Sequence, residues 1–308
     1  MKVGCGNLFY DCLKARALRP SRAILARVRS GCLLALLLVA CVLAVNLETA
    51  RAGEPISPSD GVIKLFNGKN LDGLFTWLQD AKFEDPRGVF QVADGMLHIS
   101  GDGYGGLITK NEYRDYHLIV EFKWGERTWG NRKEKAKDSG VLLHCVGPPG
   151  GVGGSWMVSI ESQIIEGGTG DFIVVGGNDA DGRKVPTSLT CEVTPGPDGK
   201  DYWHRGGERK TFPGGLIRWF GRDPKWEDVL GMRGKNDVES PDGEWTRMDV
   251  ICKGDRITNI VNGVVVNEGF DAYPSAGQIL LQTEQAEMFV RRYELWPLGK
   301  APPFERKP

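Results

Sequence analysis

Hydrophobic and polar residues alternate in short runs along residues 53–308, and this alternation predicts β-strands. The clearest run is His117–Trp124, where every second residue is apolar and Glu121 and Lys123 fall on the opposite face. Similar runs lie at Val89–Val92, Met96–Ser100, Ser139–Val146, Ser155–Glu166, Trp245–Cys252 and Gln278–Gln282. No segment keeps the period of an amphipathic helix for more than a turn or two. The pattern therefore predicts an all-β protein.

Turn signals separate these runs. Arg256–Val261 and Val264–Asn267 flank Asn262-Gly263, a pair that favours a type I′ hairpin turn because both positions need positive φ. The chain has 42 glycines among 308 residues, roughly twice the usual share, which also points to many turns. Many short strands with glycine-rich turns predict a jelly-roll β-sandwich, forming one domain over residues 53–308. Two longer loops are expected at Glu126–Asp138 and Thr194–Pro241.

Residues 1–52 have the order of a secretory signal peptide. A basic stretch is followed by the apolar run Leu33–Val45 and then by Ala50-Arg51-Ala52, a small-x-small cleavage pattern. The apolar run is too short to cross a bilayer comfortably. We therefore expect cleavage after Ala52 and export to the periplasm, the cell envelope or the medium.

A second interpretation of this leader is a lipoprotein signal. Leu38-Val39-Ala40-Cys41 resembles a bacterial lipobox, which would make Cys41 a lipid-carrying N-terminus and the protein's only attachment to a membrane. The chain stays apolar after Cys41, whereas lipoproteins usually turn polar there. Both routes lead to export.

Charge and cysteine content exclude several classes of function. The 39 basic and 40 acidic residues give a formal net charge of -1, so the chain has no basic surplus with which to bind nucleic acid. Residues 53–308 keep three cysteines, Cys145, Cys191 and Cys252, without CxxC spacing. Neither a disulfide framework nor a zinc site is indicated, and small buried hydrophobic residues are the simplest interpretation.

The most distinctive chemistry lies in the run Ser155–Glu166. Glu161 and Gln163 share one face of a regular strand, and a β-bulge before Glu166 would bring Glu166 to that face. Two carboxylates on one face are then roughly 5–6 Å apart, the spacing of retaining glycosidases. Laminarinase-like glycosidases use a similar E-x-D-x-x-E strand, but here Gln163 replaces the central acid. Alternatively, Glu161 is a solvated strand residue and Glu166 a turn residue.

Other polar residues fall near this strand in the expected fold. His144 lies in the apolar run Ser139–Val146, where it is either a general base or a core residue. Gln282 and Glu284 share a face of a later strand, and Arg291 lies on the next one. Together with Trp156, such side chains suit a sugar, because an aromatic ring stacks on its apolar face and polar groups bind its hydroxyls.

Five stretches in order resemble the 3-keto-disaccharide hydrolase domain family, whose fold is a concanavalin A-like β-sandwich. The similarity covers Gly61 to Leu298. The stretches are Lys64–Gly73, Asp138–Val141, Ser159–Gln163, Gly243-Glu244-Trp245 with Asn262-Gly263, and Ile279–Glu284 continuing to Arg291. This chain has Asp138 where members often have Asn, and Glu284 where many have His.

The resemblance implies action on 3-keto glycosides. A ketone at C3 acidifies the C2 hydrogen, a base removes it, the enolate expels the C1 substituent, and water adds to the resulting enone. His144 or Glu161 is expected as the base, and Arg291 or a bound divalent metal as the group that polarises the ketone. Glu166 or Glu284 is expected to protonate the leaving oxygen, and Trp156, Gln163, Gln282, Glu284 and Arg291 to bind substrate.

Two alternatives stay open on the same fold. The first is a non-catalytic, lectin-like carbohydrate-binding module, since sandwiches of this class serve both purposes. The second is a retaining β-glucanase that uses Glu161 and Glu166. A divalent metal is compatible with His144, Glu161 and Glu284 as ligands, although their spacing does not require one.

Overall fold

The computed structural model describes residues 53–305. The predicted signal peptide over residues 1–52 and the alternative lipid anchor at Cys41 lie outside these residues. Within residues 53–305, no helix is long and apolar enough to cross a membrane. The described chain is built from β-strands, with one 3₁₀ turn at Gly130–Arg132.

Nine strands lie between residues 63 and 175. They are β1 (Ile63–Lys64), β2 (Leu74–Leu78), β3 (Phe90–Ala93), β4 (Met96–Ile99), β5 (Tyr104–Thr109), β6 (Tyr116–Thr128), β7 (Asp138–Val146), β8 (Val158–Ile165) and β9 (Phe172–Val175). The remaining strands are β10 (Gly177–Asn178), β11 (Lys184–Val185), β12 (Ser188–Pro195), β13 (Asp201–Trp203), β14 (Glu208–Phe212), β15 (Gly215–Ile217), β16 (Thr246–Lys253), β17 (Arg256–Val261), β18 (Val264–Tyr273), β19 (Gln278–Glu284) and β20 (Ala286–Trp296).

Two antiparallel sheets pack face to face, as predicted for a jelly-roll β-sandwich. The larger sheet has eleven strands in the order β13-β12-β18-β17-β16-β6-β20-β4-β3, with β1 paired to β20 and β14 to β12. The smaller sheet has seven strands in the order β15-β9-β8-β7-β19-β5-β2. A separate hairpin joins β10 and β11.

The alternation along the strands decides which side chains form the core. In β6, the alternate apolar residues from Leu118 to Trp124 are buried between the sheets, while Lys123 lies on the outer face. The hairpin at Asn262-Gly263 is also confirmed, because Val261 pairs with Val264 and both turn residues have positive φ. Cys145, Cys191 and Cys252 are free and buried, in agreement with their interpretation as small hydrophobic residues.

Tertiary pairing changes some predicted boundaries. Trp156 lies in a turn, so the strand predicted from Ser155 begins at Val158. The stretch Thr194–Pro241 is not one loop, because β13, β14 and β15 lie within it; the longest segment without a strand in this region is residues 218–245. These three strands are short, and two of them lie at sheet margins, where a hydrophobic period is weakest.

Candidate active site

The outer face of the seven-stranded sheet carries a polar row across its centre. Gln163 of β8 lies opposite Gly140 of β7. On the neighbouring strands, Gly106 of β5 lies opposite both Gln282 of β19 and Trp77 of β2. The residues next to this row along β5, β7 and β19 have side chains in the core, so the side chains of the row lie on the outer face of the sheet. Two glycines in one row leave a depression in the face.

Gly140 provides the space in which two functional side chains meet. A Cβ atom at this position would lie 2.2 Å from Oε1 of Glu161 and 2.5 Å from Oε1 of Gln282. Both distances are shorter than any normal contact, so a residue larger than glycine would displace these groups. The Glu161 carboxyl and the Gln282 amide therefore occupy the floor of the depression.

Glu161 is a buried carboxyl group, with 5% of the residue exposed. Burial raises its pKa well above the usual range, the negative charge of Glu284 adds to this effect, and a hydrogen bond with Gln282 opposes it. A carboxyl group of this kind is protonated at a higher pH than an exposed glutamate. A raised pKa makes its carboxylate form a stronger base than that of an exposed glutamate.

Arg132 is the cation of the site and comes from the loop between β6 and β7. Its Nη2 donates hydrogen bonds to Asp138 and to Oε1 of Glu284, the latter at 3.2 Å. Its Nη1 donates to Oδ1 of Asp228 at 3.1 Å. Asp138 in turn accepts a bond from Nε2 of Gln163 at 3.1 Å. The guanidinium group thus joins the loop to the polar row.

The acids of the site outnumber its single arginine. Burial and the nearby charge of Glu284 raise the pKa of Asp138, and Arg132 opposes this shift. Burial also raises the pKa of Glu284, again against the effect of Arg132. Like charges in a low-dielectric site cannot all ionise. Nearby like charges therefore raise the pKa values of Asp138, Glu161 and Glu284, and Arg132 offsets part of this effect at Asp138 and Glu284.

Three buried polar atoms of this cluster have no hydrogen-bond partner within the described chain. They are Nε of Arg132, Oε1 of Gln163 and Oε1 of Gln282. A buried polar group without a partner is costly, and such groups occur where a ligand or water completes the bonding. Water or a ligand that enters the depression would have to complete the bonding of this donor and these two acceptors.

Aromatic side chains border the polar row. The Trp77 and Trp156 rings pack against an apolar patch of Ile108, Leu142 and Leu280 on the same outer face. The ring of Tyr104 lies edge-on to that of Trp156 with centroids 6.3 Å apart. Nε1 of Trp77 donates to the carbonyl of Gly154 at 3.0 Å, which fixes the turn that carries Trp156.

A cavity of about 300 Å³ lies beside this cluster. Tyr104, Trp129 and Gln285 contribute to its lining, and Gln285 follows Glu284 in the chain. The Tyr104 hydroxyl donates to Oε1 of Gln285 at 3.0 Å. Gln79 and the ion pair of Arg87 with Asp80 add further polar groups.

The structure brings five of the predicted site residues to one face. These are Trp156, Glu161, Gln163, Gln282 and Glu284. Their shared face follows from strand alternation and from the pairing of β8, β7 and β19.

Glu166 does not join this cluster. β7 and β8 pair without a break from Leu143 opposite Ile160 to Asp138 opposite Ile165, so the predicted bulge before Glu166 is absent. Glu166 lies past the end of β8, where its carboxylate accepts backbone N–H bonds from Lys137 at 3.0 Å and Gly231 at 2.9 Å. It anchors two loops, and it forms no carboxylate pair with Glu161.

His144 also lies elsewhere. The β7–β8 register shifts between Leu143 and Val146, and His144 has a φ of 54°. This bulge turns the side chain into the core, where its ring packs edge-on against Tyr116 and Nδ1 lies 3.2 Å from the Pro274 carbonyl. Burial lowers the pKa of His144 to about 4. The core interpretation of this histidine therefore holds, and the expectation that it faces the site with Glu161 is wrong.

Arg291 lies on the other sheet. Its Nε donates to Oε2 of Glu121 at 2.7 Å on the outer face of the eleven-stranded sheet. The arginine of the site is Arg132, which pairs with Asp138 and Glu284, and not Arg291. Sequence reasoning missed Arg132, Asp138 and Tyr104 as site residues, although it predicted a long loop at Glu126–Asp138, which contains the first two of them.

The predicted divalent metal stays a prediction. Among residues 53–305, no group of three or more His, Cys, Asp or Glu side chains has an arrangement that could hold a metal ion.

Fold and site together define a class of protein. A jelly-roll sandwich with a recessed cluster of carboxyl, amide and guanidinium groups, bordered by tryptophan on one exposed sheet face, is a glycosyl hydrolase-like or carbohydrate-binding domain. The chain belongs to the family of the 3-keto-alpha-glucoside-1,2-lyase-like domain, whose model matches residues 61–295. The family predicted from the five stretches is thus confirmed.

Several solved structures resemble this chain. A presumed glycosyl hydrolase from Parabacteroides distasonis ATCC 8503 is 16% identical, with a TM-score of 0.43 over 78% of this chain and 94% of that one. The carbohydrate-binding module CBM66 from Bacillus subtilis is 10% identical, with a TM-score of 0.40 over 72% and 94%. The β-glucanase of Bacillus licheniformis is 10% identical, with a TM-score of 0.38 over 77% and 98%. The comparison with curated proteins found no match.

Proposed function

We propose that this domain cleaves 3-keto glycosides by elimination and hydration. The base removes the C2 hydrogen, the electron pair forms an enolate with the C3 ketone, and collapse of the enolate breaks the bond between C1 and the leaving oxygen. Water then adds its hydroxyl to C1 and a proton to C2 of the enone. The products are a 3-keto sugar and the protonated leaving group, so atoms and charge balance.

The observation that carries this proposal is the environment of Glu161. Its carboxyl group is buried, has a raised pKa, and lies with Gln282 in the space left by Gly140. A carboxylate with a raised pKa is a stronger base than an exposed one, as removal of a weakly acidic C2 hydrogen requires. Family membership supplies the reaction class.

The neighbours of Glu161 supply the two remaining roles. We assign the enolate oxygen at C3 to Arg132, whose Nε is a buried donor without a partner in the described residues. We assign protonation of the leaving oxygen to Glu284, whose carboxyl group also has a raised pKa and is partly exposed beside Arg132. His144 and Glu166 have no part in this scheme because their groups serve the core and the loops.

The aromatic border supports a sugar as the ligand. Trp156 and Tyr104 present ring surfaces beside Gln163 and Gln282, whose amide oxygens are free to accept hydroxyl protons. We propose that the leaving group extends from Glu284 into the adjacent cavity of about 300 Å³. We also propose that the protein acts after export, on the basis of the leader pattern in residues 1–52.

A chromogenic assay tests the reaction class. The purified protein is mixed with the 4-nitrophenyl α- and β-anomers of a 3-keto glucoside, with a 3-keto disaccharide, and with each unoxidised parent. Cleavage of the keto forms alone is the expected result. Loss of that activity with EDTA would add a metal to the site. Cleavage of the parents would contradict the proposal.

The alternative is a carbohydrate-binding module without catalysis. The aromatic border and the free amide groups fit this function equally well, whereas the raised pKa of Glu161 favours catalysis. Saturable binding of a 3-keto sugar without turnover of any of these compounds would favour the binding module.

A further inference from the structure

A second and larger cavity, of about 1030 Å³, lies on the outer face of the eleven-stranded sheet. Its floor comes from β6, β16 and β20, and its walls from the loop before β16 and the segment around Pro302–Glu305. Floor residues such as Glu121 and Arg247 alternate with the core residues Val120 and Met248, so they face away from the core. The candidate active site uses the opposite sheet.

Two conspicuous parts of the sequence that the active site does not use meet at this cavity. They are Gly243-Glu244-Trp245, before β16, and the hairpin turn Asn262-Gly263. Nδ2 of Asn262 donates to the Val238 carbonyl at 2.8 Å and to Oγ of Ser240 at 3.1 Å. Its Oδ1 accepts the backbone N–H of Arg247 at 2.9 Å. The turn thereby ties one wall to the floor.

Arg247 ties the other wall. Its Nη2 donates to the Pro302 carbonyl at 2.7 Å, and its Nη1 to the Pro303 carbonyl at 3.1 Å. Asp249 holds the same guanidinium with two further bonds. Both walls are therefore fixed by hydrogen bonds from the sheet, and the cavity is a built feature of the fold.

Trp245 presents a half-buried ring inside this cavity. The Arg291 guanidinium lies 4.5 Å from the ring centroid and donates to Glu121, which also accepts a bond from Arg292 at 2.9 Å. The ring thus stands beside charged groups whose positions are set by their mutual bonds. Arg291 itself is exposed and keeps other N–H groups for a ligand.

The charges of the lining decide the ligand class. Five acids, Glu121, Asp237, Glu239, Glu244 and Glu305, outnumber the three arginines, Arg247, Arg291 and Arg292. All three arginines pair with carboxylates, and the acids outnumber the cations even when Lys123 beside the Trp245 ring is counted, so the lining has no surplus of positive charge to attract an anion. A neutral ligand with many hydroxyl groups would meet donors and acceptors on every side, and the exposed part of the Trp245 ring, over which Arg291 and Lys123 already lie, would give it an apolar contact.

We propose that this cavity is a second saccharide-binding site, separate from the active site and specific for neutral sugars. It lets the domain hold a glycan on one sheet while the other sheet carries the chemistry. The site does not depend on the reaction proposed above.

Titration with unoxidised oligosaccharides tests this site. The purified protein receives maltotetraose, cellotetraose or laminaritetraose, and binding is followed by calorimetry and by the indole N–H signals of ¹⁵N-tryptophan. The Trp245 signal is identified from the spectrum of Trp245→Phe. We expect saturable binding of at least one sugar that shifts this signal. Trp245→Ala should weaken the binding at least tenfold, and Trp245→Phe should weaken it less.

Trp156→Ala is the matched control because it removes the corresponding ring at the active site. It should keep the oligosaccharide affinity that Trp245→Ala loses. The proposal is overturned if no sugar shifts the Trp245 signal, or if binding is lost in Trp156→Ala and kept in Trp245→Ala. Binding of a proline-rich peptide in place of any sugar would also overturn it. The spectrum of the unmodified protein decides the question even if Trp245→Ala does not fold.

Discussion

At the scale of single residues, Glu161 shows how burial creates a reactive group. Strand alternation alone assigns Glu161, Gln163, Gln282 and Glu284 to defined faces, so these residues could be predicted from the sequence. Arg132 could not, because it reaches the site from a loop and its position depends on contacts with Asp138 and Asp228. No local pattern encodes such contacts.

Arg132→Ala tests the electrostatic part of the site. The substitution removes the cation that pairs with Asp138 and Glu284 and that we propose to bind the enolate oxygen. We expect kcat/KM for a 3-keto glucoside to fall by roughly 10²–10³, as when a donor to a developing oxyanion is lost. Arg132→Lys keeps the positive charge, so its kcat/KM should fall less than that of Arg132→Ala. Arg114→Ala, at an exposed arginine, is the control, and an equal loss there would refute the assignment.

Gly140→Ala tests the geometry of the floor. The added Cβ would displace Glu161 and Gln282, which lie 2.2 and 2.5 Å from its position. We expect at least a tenfold loss of kcat/KM and a loss of about 1–3 kcal/mol in the free energy of unfolding. Gly214→Ala is the matched control, because the nearest atom to its added Cβ is 4.0 Å away. Full activity in Gly140→Ala would show that these side chains need not meet there.

At the scale of elements, bulges limited what the sequence could predict. The expected bulge in β8 is absent, and a real one in β7 moves His144 into the core. A one-residue insertion in the pairing reverses the faces of the residues beyond it, and the hydrophobic pattern of this apolar strand does not report it. Cys145 accordingly joins Leu142 on the outer face, contrary to simple alternation.

His144→Asn tests the buried state of this histidine. Burial lowers its pKa from the usual 6.5 to about 4 in the folded protein. Above pH 6.5 the imidazole is neutral in both the folded and the unfolded chain, so His144 does not lower the free energy of unfolding. As the pH falls from 6.5 towards 4, the unfolded chain binds a proton that the folded protein does not, and the free energy of unfolding decreases. Asparagine tolerates positive φ and removes the titration.

Urea unfolding at pH 7 and pH 4 measures this effect. The stability difference between the unmodified protein and His144→Asn should shrink by up to about 3 kcal/mol at the lower pH. His204→Asn, the same substitution at an exposed histidine, is the control. A difference that does not change with pH would contradict burial of a neutral imidazole.

At the scale of the whole molecule, the fold class could be predicted from the sequence. Regular alternation, glycine-rich turns and the Asn262-Gly263 hairpin indicated a jelly roll, and the two sheets follow. The order of strands across the sheets could not be predicted from residues alone, since it depends on non-local pairing. That order separates Arg291 from Glu161 and gives the two sheets different outer faces.

Removal of the C2 hydrogen of a 3-keto glycoside by Glu161 is the step on which the proposed reaction depends. The most direct measurement is turnover in D₂O, with the product examined at C2 by NMR and corrected for exchange of the free 3-keto sugar. Elimination and hydration should place solvent deuterium at C2, and Glu161→Gln should lose turnover by roughly 10²–10⁴. A cleaved product that keeps its original C2 hydrogen, or full turnover by Glu161→Gln, would contradict the account.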